Sequence, residues 1–482
     1  MPDSRKLFGR RVIYTDESVI TDENVLEVLN EALKVHLLNA DEIEYLLKYY
    51  RGNQPVLQRE KEYNPEICNK IVENRANEIV AFKVGYLMGE PVQYIGRGGD
   101  ENVDDINLLN DYVFAEDKSE KDRDLAEWWH ICGTSYRLVM PRNDAPADEA
   151  PFSIYTLDPR NSFVVYWSGV GNPPVMGVNY VIQADGSAIF TIYTKNRRYE
   201  ITSIGVPGNM AIAAPLPNAT MKVEGHILGG VPLIEYPANK WRLGAFEIVL
   251  PLLDAINTLT SNRVDGVEQI VQAILCLKGS DLNDEEFAKV KELGGLFLPP
   301  DGDAKYLTVM LDQSQTQTLV TNAYNAVLTI CGMPNRNGGS STSDTGAAVI
   351  YRDGWEAAEA RAKDSETTFK ASEKRFLRIL LEIVNSKRGT DLAVSQIDIR
   401  FTRRNYADIQ SKAQVLTMML ASDEIHPLLA FEYSGMFVDP LRAYEISQQY
   451  AEQVKTEKAK ALKAFVDTET DEAANSADGE EE

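Results

Sequence analysis

Residues 313–331 read QSQTQTLVTNAYNAVLTIC, and residues 332–345 directly behind them read GMPNRNGGSSTSDT. The first stretch has helical spacing. The second is small and polar, with one cation, Arg336, and one carboxylate, Asp344. A further helical pattern then runs from about 346 to 386, long enough to span roughly 60 Å at the rise of an α-helix. Glu359–Lys363 and Glu366–Lys370 are favourable i,i+4 pairs along it, and Gly354 is a candidate bend. Two adjacent helices need only a short connection. Gly332 can end the first helix, and Asp344 or Thr345 can cap the second. The fourteen residues between are therefore more chain than the junction requires.

The pattern upstream is equally ordered. From Gly244 a helical run, GAFEIVLPLLDAINTLTSNRVDGVEQIVQ, contains Pro251, which predicts a kink or the true helix start there. A small insert follows. AILCLKG (273–279) reads as a strand and NDEEFAKVKEL (283–293) as a short helix capped by Asn283. GGLFLP, the turn Pro299–Pro300–Asp301–Gly302–Asp303 and the strand KYLTVML (305–311) lead back to the helix at 313. Two long helices thus flank a β-rich insert.

Residues 92–240 have another character. After helical patterns near 105–114 and 121–132 come six short β-rich runs, SYRLVM, FSIYTL, SFVVYW, GVNYVI, AIFTIYT and RRYEIT. Gly, Pro and Asp separate them, which predicts a meandering antiparallel sheet. The N-terminal part is helical. One helix is predicted over 23–38 on Val25, Leu26, Leu29, Leu33 and Leu37, and a second over 40–51 with Asn39 as its cap and Gly52 as its stop. A third opens at Asn64-Pro65-Glu66 and closes at Met88-Gly89-Glu90-Pro91. SQIDIRFTRR reads as a last strand, and 407–464 as helical. The fold class is α+β.

The chain has 482 residues and a formal net charge of −24. Its last 17 residues hold eight carboxylates and no Lys or Arg, a composition that predicts a disordered tail. Strong acidity argues against tight sequence-independent DNA binding, which needs cations to displace counterions. It leaves weak sliding contact open. The cysteines Cys68, Cys132, Cys276 and Cys331 form no CxxC, so neither a zinc site nor a disulfide framework is expected, and a reducing compartment fits. There is no secretory h-region and no run of 18 apolar residues.

Nothing assembles into a catalytic site. The sequence lacks GxxxxGK[ST], HExxH and GxSxG. His36, His130, His226 and His426 are scattered, and His130, behind Trp128 and Trp129, is expected to be packed rather than to act as a base. The acidic clusters DENVDD and NDEEF read as solvated surface and a helix start, without metal-ligand spacing. No cofactor is expected.

The order of elements resembles the siphophage-type portal proteins of tailed double-stranded-DNA bacteriophages. NKIVENRANEIVAFKVGYLMGEPVQY (69–94), GGVPLIEYPANKW, LLDAINTLTSNRVDGVEQIVQAILCLKG (252–279) and TGAAVIYRDGWEAAEARAKDSETTFKASEKRFLRILLEI are each similar to that family, in the same order. Two departures stand out: Thr345-Gly346 opens the long helix where the family often has Ser-Gly, and the loop before it is rich in Gly and Ser.

The resemblance implies a division into a wing (1–243), a stem helix (244–270), a clip (271–312), a second stem helix (313–331), a tunnel loop (332–345), a long wing helix with its strand (346–404), a crown (405–464) and the acidic tail (465–482). It implies a ring of about twelve copies at one capsid vertex, assembled in the host bacterial cytoplasm and carried in the virion. Double-stranded DNA would pass through the axial channel in packaging and ejection. The loop residues Asn335, Arg336, Asn337, Gly338, Gly339, Ser340 and Ser341 would face that DNA. The clip turn Pro299–Asp303 would dock the terminase motor and later the head-tail connector, and the wing would meet the major capsid and scaffolding proteins, with no membrane involved. On this reading the protein is not an enzyme. The residues alone leave two alternatives: a metal-dependent nucleic-acid-processing enzyme using the acidic clusters, and a non-conducting capsid or scaffold component.

Overall fold

The computed structural model describes residues 9–97, 103–146, 149–185, 187–203, 220–271, 274–278, 303–307, 313–335, 354–402, 409–437 and 440–477. Strand β1 (Ile13–Thr15) leads into helix α1 (Val25–Tyr50). One apolar face, with Val25, Leu29, Leu33, Ile43 and Leu46 buried, runs along all of α1. The two helices expected over 23–51 are therefore one. Asn39 does not cap. Its Oδ1 accepts from Arg11 N at 2.9 Å and its Nδ2 donates to Arg11 O at 2.9 Å, a partner 28 residues away that leaves no local trace. Gly52, with φ +94°, stops the helix as expected.

Helix α2 (Arg75–Leu87) starts ten residues later than Asn64-Pro65-Glu66 suggested. Asn64 has φ +51° and belongs to a turn. The cap is Asn74, whose side chain accepts from Asn77 N at 3.4 Å. Strand β2 (Gln93–Gly96) and helices α3 (Val103–Ala115) and α4 (Lys118–Cys132) follow.

The β-rich region makes two sheets rather than one meander. Strands β3 (Thr134–Pro141) and β4 (Phe152–Leu157) pair with β10 (Leu233–Pro237) in the order β10-β3-β4. Strands β5 (Ser162–Trp167), β6 (Pro174–Ile182), β7 (Ala188–Tyr193), β8 (Arg197–Ser203) and β9 (Thr220–Gly225) form an antiparallel meander, with β1 added in parallel beside β5. All six expected strands are present. Their division is set by β10, which joins β3 from about a hundred residues away.

Helix α5 (Leu250–Val271) begins with Pro251 in its first turn, so Pro251 marks a start. Strands β11 (Ile274–Lys278) and β12 (Asp303–Leu307) pair antiparallel, and helix α6 (Gln313–Cys331) returns against α5. Helix α7 (Trp355–Arg388) is the long helix. Gly354, expected as a bend, is its N-cap with φ +83°, and residues 346–353 lie outside the described residues. Strand β13 (Ile397–Arg400) pairs with β2.

Helices α8 (Ile409–Leu420), α9 (Pro427–Ser434) and α10 (Pro440–Ala477) complete the chain. Helix α10 runs through most of the tail expected to be disordered. Its Ala, Glu and Lys content favours extension of a helix already nucleated, so acidity alone misjudged this segment.

The main core joins α2, α4, β3, β10, α5, α6 and α7 around Trp129, Phe152, Tyr236, Phe369 and Phe376. A second core packs Phe163, Met176, Phe190 and Ile192 of the large sheet against Val25, Leu29 and Leu33.

Candidate functional site

Helices α5 and α6 form a pair, with the paired strands β11 and β12 at one end and the connection from α6 to α7 at the other. The pair is seated by a buried apolar seam that includes Leu253, Ile256, Val327 and Leu328. Beside this seam α5 carries three buried polar residues one turn apart, Asn257, Ser261 and Asp265. Each accepts a backbone N–H from the segment before α2. Glu73 N donates to Asn257 Oδ1 at 2.8 Å, Ile71 N to Ser261 Oγ at 3.0 Å, and Asn69 N to Asp265 Oδ1 at 2.7 Å.

The spacing has a simple origin. Four helical residues rise about 6.0 Å, and two extended residues span about 6.6 Å. Every second N–H of the segment therefore meets the next turn of the helix. The stripe is reinforced by Lys61 Nζ at 3.0 Å and Arg59 Nη1 at 2.8 Å from Asp265 Oδ2. Burial would raise the Asp265 pKa, but the Asn69 N–H and the two cations overcome it and hold the carboxyl at about 2.

The connection is rooted just as firmly. Gly332 has φ +64° and closes α6, with Met333 N donating to Leu328 O at 2.8 Å. Lys83 Nζ donates to Cys331 O at 2.8 Å, placing a half-buried cation on the carbonyl end of α6. Arg361 of α7 packs on Gly332, where a Cβ would stand 2.7 Å from its Cγ. On the far side, a Cβ at Gly354 would lie 3.9 Å from Met333 O and from Pro334 Cα. The chain thus leaves α6 and re-enters α7 at one place.

Helix α7 is held in turn by buried charge. Glu373 accepts from Tyr94 Oη and Tyr236 Oη, each at 2.6 Å, and lies 2.8 Å from Lys118 Nζ and 3.4 Å from Arg137 Nη1. Asp122 completes the set, 2.7 Å from Lys118 and paired with Arg137. Two cations and two carboxylates thereby balance inside the core.

The sequence matches the family described as phage portal protein, SPP1 Gp6-like, over residues 30–428. The chain belongs to that portal protein family. The portal protein of Bacillus phage SPP1 is 23% identical over 460 residues, covering 84% of each chain. Among solved structures, a chain in the virion of a native gene transfer agent particle is similar at 13% identity and a TM-score of 0.43, over 83% of this chain and 94% of that one. A chain in the neck of an empty gene transfer agent particle is similar at 12% identity and a TM-score of 0.42, over 75% and 90%.

Of the residues expected to matter in a portal-family loop, Asn335 is described, with its Nδ2 3.4 Å from Asn325 Oδ1. Arg336, Asn337, Gly338, Gly339, Ser340 and Ser341 lie outside the described residues. Of the hairpin turn, Asp303 opens β12 opposite Lys278, and Pro299, Pro300, Asp301 and Gly302 lie outside. His130 is packed as expected, and burial pushes its pKa down to about 3. Among the described residues no group of three or more His, Cys, Asp or Glu is arranged to hold a metal ion. No described helix is long and apolar enough to cross a membrane.

Sequence reasoning missed the polar stripe on α5. Its signal was present: Asn257, Ser261 and Asp265 repeat every four residues on a helix that is otherwise apolar where it is covered.

Proposed function

We propose that this portal-family chain forms a ring of about twelve copies at one capsid vertex and conducts double-stranded DNA through its axis. In that arrangement α5 and α6 are the stem, the hairpin between them is the clip, and residues 332–345 line the channel. The observation that carries this reading is the shared anchorage of Met333, Pro334 and Gly354. A connection whose ends are fixed at one place can change shape without disturbing either helix, which a flexible channel lining requires. Gly338 and Gly339 tolerate many backbone conformations, and Ser and Asn keep the segment solvated. Arg336 supplies one cation per subunit, enough for weak contact with phosphates and no sequence preference. The clip turn 299–303 docks the terminase motor and the head-tail connector, and the wing contacts the capsid and scaffold. The protein has no chemistry of its own and leaves ATP hydrolysis to the motor.

Deleting Asn337–Ser341 tests the reading. Rings, melting temperature and procapsids should match the wild type, because shortening a closed loop changes its entropy by only about 0.6 kcal/mol per halving. Packaged DNA per particle should fall. Arg336→Glu should show a milder, salt-dependent form of the same defect. Normal packaging by the deletion variant would make the segment an idle linker.

A further inference from the structure

Two open grooves carry opposite charge, one walled by helix α7 and the other by elements packed on it. The first, about 820 Å3, lies between the N-terminal segment, the turn before α5 and α7. Its walls hold five cations and no carboxylate. Arg10 and Arg242 are buried against Glu247 and Glu235, and Arg11 pairs with Glu42 at 2.9 Å, so the charge offered outward comes from Lys240 and Arg375. Trp241 stands exposed among them, with Lys240 Nζ 5.3 Å from its ring centroid.

The second groove, about 770 Å3, lies between β2, α3, α4 and the start of α10. Asp104, Asp111 and Asp117 are exposed on it beside Phe114, which is 84% exposed. Its two cations are engaged, Lys118 in the buried charge cluster and Arg442 with Asn107 Oδ1 at 3.4 Å.

The grooves occupy opposite flanks of one helix. Glu373 bonds Tyr94 and pairs with Lys118, both walls of the acidic groove, whereas Arg375 walls the basic one. Two residues along an α-helix are 200° of rotation.

We propose that the basic groove receives the acidic face of a second copy of this chain, so that neighbouring subunits join head to tail through these two surfaces. Closed rings of more than two copies use two different surfaces on each subunit. A chain with net charge −24 repels its own copies, so the contact needs local attraction of opposite sign. Lys240 and Arg375 facing Asp104, Asp111 and Asp117 supply it. The exposed Trp241 and Phe114 supply apolar area at the same two places.

The proposal rests on the ring reading above, and its test separates the two. The full-length chain is followed by sedimentation and end-on electron microscopy across a dilution series. Lys240→Glu with Arg375→Glu, and separately Asp104→Lys with Asp111→Lys, should each raise the concentration of half-assembly at least about tenfold. The chain carrying all four changes should return to within about threefold of the wild type. Added salt should weaken the wild-type ring. Lys240→Gln with Arg375→Gln, a neutral change at exposed positions, should give a smaller shift in the same direction if either reversal disturbs folding. Rings that tolerate both reversals overturn the head-to-tail assignment and leave the ring reading standing. So does a fourfold variant that melts like the wild type and stays monomeric. A wild-type chain that is monomeric at every concentration overturns the ring reading itself, and this assignment with it.

Discussion

Asp265 joins three parts of the chain at one carboxylate: the segment at Asn69, the basic pair Arg59 and Lys61, and helix α5. Replacing it with Ala leaves two half-buried cations and a backbone N–H without their acceptor. The expected cost is about 2–3 kcal/mol in chemical denaturation. The pH dependence has a fixed sign. The folded-state pKa, about 2, lies below the ordinary 3.8, so the stabilisation is complete above pH 4 and is lost as pH falls from 4 through 2. Asp265→Asn should therefore be less stable at pH 7 and should flatten the acid limb of the stability curve between pH 4 and 2. An unchanged acid limb would mean that another carboxylate governs it.

At the scale of elements, Lys83 ties α2 to the last carbonyl of α6. Lys83→Met should keep the packing of α2 and α6 and lose the charge on the helix terminus. The expected loss is about 1–2 kcal/mol, with faster amide exchange at Gly332 and Met333 than elsewhere in α6. Equal protection at those two amides in both proteins would show that the cap is idle. The elements themselves were unevenly legible. Strands 135–202 could be read because β-branched and aromatic residues crowd into short runs, each bounded by Gly, Pro or Asp. Helix α6 was read to the residue for the same kind of reason. The segment 67–74 was mistaken for helix because Ile67 and Ile71 stand four apart. What fixes it is α5, nearly two hundred residues away, and a single strand of text holds no record of such a partner. Asn39 misled in the same way, since a good capping residue is also a good mimic of a peptide group.

For the whole molecule, the buried cluster around Glu373 sets how the long helix lies against the β10-β3-β4 sheet, the β2–β13 pair and α4. It reaches β2 through Tyr94, β3 through Arg137, β10 through Tyr236 and α4 through Lys118. Glu373→Leu leaves two buried cations facing one carboxylate, and should cost about 3–5 kcal/mol. Because four elements meet there, the loss should appear as one cooperative transition at a lower denaturant midpoint, not as local fraying of α7. A biphasic transition would show that α7 docks independently. The α+β class and the order helix, β-rich insert, helix, long helix could be read from sequence. The charged interior could not, because Lys118, Asp122, Arg137 and Glu373 look like surface residues until the fold brings them together.

The nearness of Gly354 to Met333 and Pro334 has a mechanical consequence. A strand pulled at its middle draws on both of its ends. Where those ends are far apart, the pull reaches the two bodies at separate points and can turn one against the other. Here it is applied at nearly one point, so the lever arm almost vanishes. A force on the connection, in whatever direction, therefore loads α6 and α7 together at that point.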